Sequence, residues 1–546
     1  MPLEASKVKA NAGELAWLAL PFLAFLALSS RLWFNAPRQD DYDALIGGTM
    51  RLLDAGSFAE WWNALVWPHN EHRIVLTRAA AWIMAKVGGS IDFWWLALLG
   101  NLALGAILML LWAQVRGRVG PPMLAAAAFA VCQLSYFESA TLAMGAWSNL
   151  GVLAFAFATF HFALRPGRGN ATLGLAFGLL AAGSQGNGLL ALLLAAIACF
   201  VGDLKPRAAL YGAAGCIVCL LYSIGYQTPA QHGSPFDALN QPLVAAQLFV
   251  MHVGAIAPGR WPATVFGIAL LGLLASLAGR GYLRDRPTLA TFVAFILLSA
   301  AAAAVARVGL GVHWASRYAI NSSCLVAVAL LLLAAQRGWG AGASWRALTA
   351  CAMGSLIVSW AIWPHASMHA FQGRLLVSPL PDSPAAVVEP YVGVYYPYPE
   401  VARRLLAEAE QHGIYHVRDV PVFATQLRTS LEPVQAARTA GMIESVRVNG
   451  AEVVVDGWTE VPATVRGRSF TAYAPEVPRS TSLAIVGRTD MAIRTGRSDL
   501  LLSGFQWKGS YESEAQARRA AKKLCLVIEA PGYMPAALQR GQNCTG

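Results

Sequence analysis

Charge is scarce in this sequence: Asp, Glu, Lys and Arg together make up 13% of its 546 residues, against 56% hydrophobic ones. With a mean hydropathy of +0.48 and repeated apolar runs of roughly 17 residues or more, the first two-thirds of the chain is excluded from being a soluble globule. Cysteine is also sparse. Of the eight, Cys132, Cys216, Cys219, Cys324 and Cys351 sit in apolar runs, where cysteine is usually a small buried hydrophobe. Cys199 lies near the end of a run, and only Cys525 and Cys544 fall in the C-terminal region; their spacing neither requires nor forbids a disulfide. No cysteine spacing suggests structural zinc, no H-E-x-x-H run occurs, and there is no internal repeat or long disordered tract. The net charge of +11 is spread through short loops, which excludes nucleic acid as the partner and points to membrane orientation instead. No A-x-A-like cleavage site follows the first apolar run, about 16–33, so it is read as a retained span.

What is present is a succession of spans, expected near 15–34, 91–114, 120–137, 147–164, 171–184, 188–202, 208–226, 262–279, 287–306, 318–335 and 347–363. That is about eleven, with 243–258 and the short pair around GSQGNG (183–188) as the weak points. Basic pairs (Arg116/Arg118, Arg165/Arg168, Lys205/Arg207, Arg280 with Arg284 and Arg286, Arg337/Arg346) fall on the same side as Lys7 and Lys9. By the positive-inside rule that side is cytoplasmic, so the loop of about 35–90 and everything after 364 lie outside.

The densest polarity in the chain is DDYDALIGGTMRLLDAGSFAEWWNALVWPHNEHRIVLTR, residues 40–78. Acids and bases concentrated beside a span mark a working site, and Trp61, Trp62 and Trp67 suit the same loop to the membrane interface. The other loops on that side, SYFESATLAMGAWSN (135–149), GSQGNG, YQTPAQHGSPFDALNQ (226–241) and RVGLGVHWASRY (307–318), are poor in basic residues and rich in polar, aromatic and glycine positions. After 364 the hydropathy falls. Residues 371–546 read as a soluble, mainly β domain of about 175 residues, α+β or a β-sandwich, with a helix at 401–415 and short β-branched runs divided by Gly and Pro. Trp458, Tyr473 and Trp507 are its candidates for stacking on sugar faces.

The order of parts (one span, an acidic cluster at once, a long amphipathic loop, about ten further spans and an exterior domain) resembles the GT-C class of integral-membrane glycosyltransferases. DDYD (40–43) stands where that class carries its catalytic aspartate, and PHNEHRI (68–74) and SRY (316–318) resemble patterns of such bacterial proteins. VDGW (455–458), GRTDMA (487–492) and SGF (503–505) resemble a small β-domain appended to bacterial glycosyltransferases. The resemblance implies a polytopic α-helical membrane domain, 1–364, in the bacterial inner membrane. It also implies a polyprenyl-phosphate-linked sugar as donor and a glycan, lipid or exported protein as acceptor.

On that reading a carboxylate takes the acceptor's proton. Asp41 is favoured, then Asp43, which shares its face if the segment is extended, then Asp40, which shares a face with Asp43 if it is helical. Close carboxylates raise the pKa of one member. Arg317, Arg307 and Arg73 are the candidates for the donor phosphate, and His69, Glu71, His72, Glu138 and Tyr318 for substrate contact. No cofactor is expected; a divalent metal on His69 and His72 is a weak alternative. Two other classes share parts of the pattern. A transporter or flippase of lipid-linked sugars would place its polar residues at mid-membrane in paired repeats. An O-antigen polymerase or ligase would carry arginines in a large late loop. A reporter fused after Gly546 is expected to be active only outside the cytoplasm and one fused between Arg280 and Arg286 only inside; the reverse pattern overturns this orientation.

Overall fold

A computed structural model describes residues 12–70, 72–226, 237–337, 341–376, 399–416, 426–430, 438–461, 469–473, 476–486, 491, 503–530 and 533–539. Two compact units divide the chain: Met1–Trp363 with Leu405–His416, and Pro364–Arg404 with Val417–Gly546.

In the first unit eight helices among the described residues are long and apolar enough to cross a bilayer: Phe93–Val115, Pro121–Thr141, Ala143–Ala163, Lys205–Ser223, Arg260–Gly279, Pro287–Ala306, Ser316–Arg337 and Gly342–Ser367. Shorter apolar helices occupy Gly13–Ser29, Gly186–Val201 and Pro242–Val253, so the segment 243–258, left out of the expected spans, forms an apolar helix. The protein is thus a polytopic helical membrane protein with a C-terminal β region. Its membrane core is closed by aromatic stacking, as where Phe157 lies on Phe292 at 4.1 Å.

The helix Phe93–Val115, about 34 Å long at 1.5 Å per residue, sets the two ends of this unit. At one end Phe93 N donates to Asn35 Oδ1 of the first loop at 2.9 Å. At the other, Gln114 meets His161 at 2.6 Å and its carbonyl accepts from Arg286. The loops carrying Arg165 and Arg207 also join there, through the Arg207 guanidinium on the carbonyls of Ala163 and Arg165. Basic loops therefore gather at one end and the polar, glycine-rich loops at the other.

The first loop folds into short helices, Tyr42–Gly47, Gly48–Asp54, Phe58–Val66 and Val75–Gly88. Ser57 caps the third by accepting from Glu60 N at 3.2 Å, and Phe58, Trp62 and Trp67 are left exposed, as an interfacial helix requires. The stretch Leu405–His416, assigned from sequence to the soluble domain, belongs to the membrane unit. Ile91 N donates to Ile414 O at 2.6 Å, Tyr415 Oη to Asn35 O at 2.9 Å, and His412 meets Asp54 at 3.1 Å. Its sequence reads as an ordinary amphipathic helix and carries no mark of this partner.

In the second unit the strands β1 (Gln426–Ser430), β2 (Arg438–Asn449), β3 (Glu452–Thr459), β4 (Ser469–Tyr473), β5 (Ser480–Val486), β6 (Gly504–Ser510), β7 (Cys525–Ala530) and β8 (Tyr533–Gln539) form one sheet. Its order is β1-β4-β7-β8-β2-β3-β6-β5, and the outer strands β1 and β5 approach each other. The two stacked sheets of a sandwich are thus replaced by one curled sheet, with register shifts in β2 between Ile443 and Ser445 supplying the bend. Trp507 is buried in its core beside Phe470 and Phe505, which removes it from any sugar-stacking role; Trp458 and Tyr473 are half-buried. GRTDMA lies almost wholly outside the described residues. Cys525 is disulfide-bonded, while Cys544 lies outside the described residues.

Helices Pro242–Val253 and Arg260–Gly279 meet backbone to backbone. A Cβ on Gly267 would stand 2.0 Å from Val250 O, and one on Gly254 1.9 Å from Ala263 O. Gly267→Ala is expected to lower the thermal midpoint of the solubilised protein, at an overpacking cost of about 1–3 kcal/mol. Gly272→Ala, with nothing within 4 Å of its added Cβ, should leave the midpoint unchanged, and equal midpoints for both variants would contradict this packing.

Candidate functional site

The site starts from a turn. Gln39 adopts φ 46° and Asp41 N donates to Arg38 O at 2.9 Å, which folds the chain around the Asp41 carboxylate. That group is buried, and both its oxygens are engaged, by Met144 N at 2.9 Å and Arg38 N at 3.2 Å. Arg38 is buried with it, its guanidinium 5.0 Å over the Phe34 ring and donating to Thr141 O. Burial, outweighing the two amides and the Arg38 charge, pushes Asp41 up to about 7.

Asp40 behaves in the opposite way. Its side chain opens into a cavity and remains 54% exposed at the surface of that recess. Enclosure by the surrounding protein raises its pKa, but His69, Arg317 and His72 outweigh this and hold it below the usual carboxylate range. The segment is helical, with Ala44 N on Asp40 O at 2.8 Å, so the extended-strand argument that favoured Asp41 with Asp43 does not apply. Asp43 is half-buried and does not line the cavity.

His69 and His72 stand on a tight turn, His69 N donating to His72 O at 2.7 Å and His72 N to His69 O at 2.9 Å. Asn70 adopts φ 50° within it, and Glu71 lies outside the described residues. Both imidazoles are thereby held on the cavity wall, with His69 Nε2 3.7 Å from Asp40 Oδ1. The helix on which the two histidines would pair as metal ligands does not form. Among the described residues no group of three or more His, Cys, Asp or Glu is placed to hold a metal.

The opposite wall comes from the two polar loops that precede later spans, and these lock together. Glu138 N donates to Ser316 Oγ at 3.1 Å, and Arg317 N donates back to Glu138 Oε2 at 3.3 Å. The Arg307 and Arg317 guanidinium carbons each lie 5.7 Å from the Tyr318 ring centre, and His252 stacks on that ring at 3.9 Å. The Nε of Arg317 is buried and has no hydrogen-bond partner among the described residues. Arg73 is placed elsewhere. Its guanidinium donates to Val66 O at 2.6 Å, Tyr222 O at 3.2 Å and Ile224 O, tying the first loop to the helix Lys205–Ser223 rather than facing the site.

Two cavities meet here. The polar one, about 290 Å³, is walled by Asp40, Asp41, His69, Glu138 and their neighbours. The second, about 590 Å³, runs between apolar helices past Leu189, Leu193, Tyr222 and Ala302. His72, Asn149, Gln185, Arg307 and Arg317 line both. Gln185 reaches this junction because the chain breaks there, in extended conformation, between the helices Arg168–Ser184 and Leu189–Val201. Sequence reasoning missed Arg38 and Asn149 as site residues. Arg38 lies two residues before the acidic cluster, and Asn149 ends a loop already marked by its polarity.

No protein-family model matches the chain, and no curated protein matches it significantly.

The raised pKa of Asp41 carries a sign. A carboxyl titrating near 7 in the fold and near 3.9 unfolded costs nothing below the lower value, and its burial penalty grows up to the higher one. Stability should therefore fall from about pH 4 to pH 7, by an order of a few kcal/mol. Asp41→Asn should abolish this slope. It should also lower stability by about 1–3 kcal/mol near pH 4, because its amide turns an N–H toward a backbone N–H, and the difference should shrink or reverse toward pH 7, where only the wild type carries the buried charge. Thermal midpoints measured across pH test both; an unchanged slope in the variant rules out this assignment.

Proposed function

We propose that this protein is a membrane glycosyltransferase of the GT-C kind, moving a sugar from a polyprenyl-phosphate donor to an acceptor at the exterior face of the bacterial inner membrane. The observation that carries the reading is the junction itself: an apolar cavity among helices and a polar cavity with an open carboxylate share two arginines. An amphiphile with a phosphate between an isoprenoid tail and a sugar matches that sequence of environments. The tail lies among the apolar helices and the phosphate at Arg307 and Arg317, where guanidinium pairs well with phosphate oxygens. The sugar then occupies the polar cavity beside Asp40.

In this reaction the acceptor hydroxyl attacks the anomeric carbon. Asp40, ionised at neutral pH and open to the cavity, takes its proton, and the departing phosphate is stabilised by the two arginines. Asp41 holds the turn that aims Asp40. The gathering of basic loops at the opposite end of the helices supports an exterior site, and the disulfide at Cys525 suits an oxidising compartment. A transporter reading fits less well, because the acids and arginines sit at one end of the helices rather than in paired repeats at mid-membrane.

Purified protein is expected to bind undecaprenyl monophosphate and to release or transfer sugar from its hexose-linked forms. Arg317→Ala should weaken binding of undecaprenyl monophosphate about tenfold to a hundredfold, the worth of a hydrogen bond to a charged group. Asp40→Asn should keep that binding and lose turnover by about 100- to 10,000-fold. Wild-type turnover by Asp40→Asn would remove Asp40 as the base. Comparing surface glycans, lipids and exported proteins by mass spectrometry, with and without the gene, would identify the sugar and acceptor together.

A further inference from the structure

Resting on that reading, we propose that the base is a pair, with His69 as the positioning residue and proton relay of Asp40. The side chain of His69 is nine-tenths buried (10% exposed) and lines the polar cavity, yet among the described residues its Nε2 has no partner within hydrogen-bond distance. That nitrogen stands 3.7 Å from Asp40 Oδ1, just beyond hydrogen-bond reach. Its position is set by the reciprocal backbone bonds between His69 and His72. A buried ring nitrogen left unpaired is costly, and here the nearest acid is the one open to the cavity.

The chemistry gives the arrangement a use. Asp40 is a weak base because its pKa is held low, so a proton it accepts is readily returned. The imidazole beside it can draw the proton onward. As the bond from acceptor oxygen to anomeric carbon forms, the bond from that carbon to the phosphate oxygen breaks and its electron pair leaves with the phosphate. The hydroxyl proton passes to Asp40, then to His69 Nε2, and after the products leave it returns through Asp40, which is open to the cavity, to water. Both the carboxylate and the neutral imidazole are thereby restored. The other charged or titratable groups on the cavity wall are Arg38, Asp41, His72, Glu138, Arg307 and Arg317. Of these, Asp41 has both oxygens on backbone amides, and Glu138 is locked to the Arg317 amide.

The test uses the full-length protein, undecaprenyl-phosphate-linked glucose, galactose or mannose, whichever the wild type turns over, and release of free sugar to water between pH 5 and 8.5. The wild-type rate should rise through the neutral range. His69→Gln should fall about 100-fold and lose that rise, and added imidazole should restore rate to His69→Ala. A purely structural role for His69 would lower the rate without moving the profile and would not respond to imidazole. The inference is overturned if His69→Gln keeps the neutral rise at the same midpoint, which would assign the rise to Asp41. It is also overturned if His69→Ala still binds undecaprenyl monophosphate but gains nothing from imidazole. No release or transfer of sugar by the wild type from any of these donors would instead refute the glycosyltransferase reading beneath it.

Discussion

The buried carboxylate of Asp41 fixes the rest of the site. It accepts one amide from the turn that precedes it and one from the start of the helix Ala143–Ala163, so the first loop and a distant span are joined through a single side chain. Burying a carboxylate is expensive unless its oxygens are satisfied, and here two backbone donors and the neighbouring Arg38 offset part of that cost. The return is geometric. With Asp41 held by the two amides, the adjacent Asp40 is left with its side chain open to the cavity.

A second constraint acts on the cations. Two arginines that share one small region repel each other, and each guanidinium lies 5.7 Å from the centre of the Tyr318 ring. The ring's negative face compensates part of their charge, and His252 fixes the ring from the helix Pro242–Val253. The Glu138–Ser316–Arg317 lock then sets the height of the pair at the junction of the two cavities. The close contact between Gly254 and Gly267 bears on this site only indirectly, by holding His252 under the tyrosine.

The parts of the site legible in the sequence were those that violate membrane composition. DDYD, PHNEH, the FES run at 137–139 and SRY stand out because ionisable residues beside spans are costly, and the fold brings Asp40, His69, His72, Glu138, Arg307 and Arg317 onto adjoining walls. Which member of the acidic cluster opens to the cavity was not legible, because it depends on whether the chain is extended or turned there, and Gln39 in the left-handed region marks the turn. Arg73 misled for a related reason. Its three backbone acceptors come from Val66, Tyr222 and Ile224, two of them some 150 residues distant, and no local pattern announces such partners. The helix ending at Gln411 was visible as a helix, but its docking on Asn35, Asp54 and Ile91 was not.

The placement of charge also explains why the soluble loops and the membrane helices are both needed. An arginine facing only the apolar cavity would be stranded in a low-dielectric medium, and one facing only the polar cavity would meet a well-screened ligand to which it adds little. At the shared wall the guanidinium keeps access to polar neighbours while one side faces apolar groups, so attraction to an anion there is strong and its alternatives are few. On the proposed function the same position would separate two tasks that compete for a single pocket: holding an apolar chain, which favours dry walls, and moving a proton, which requires an open rim. Asp40 and His69 sit on the wet side of that boundary and the leucines of the helix Leu189–Val201 on the dry side. A ligand with a charge between a polar and an apolar end is the kind that can satisfy both sides at once.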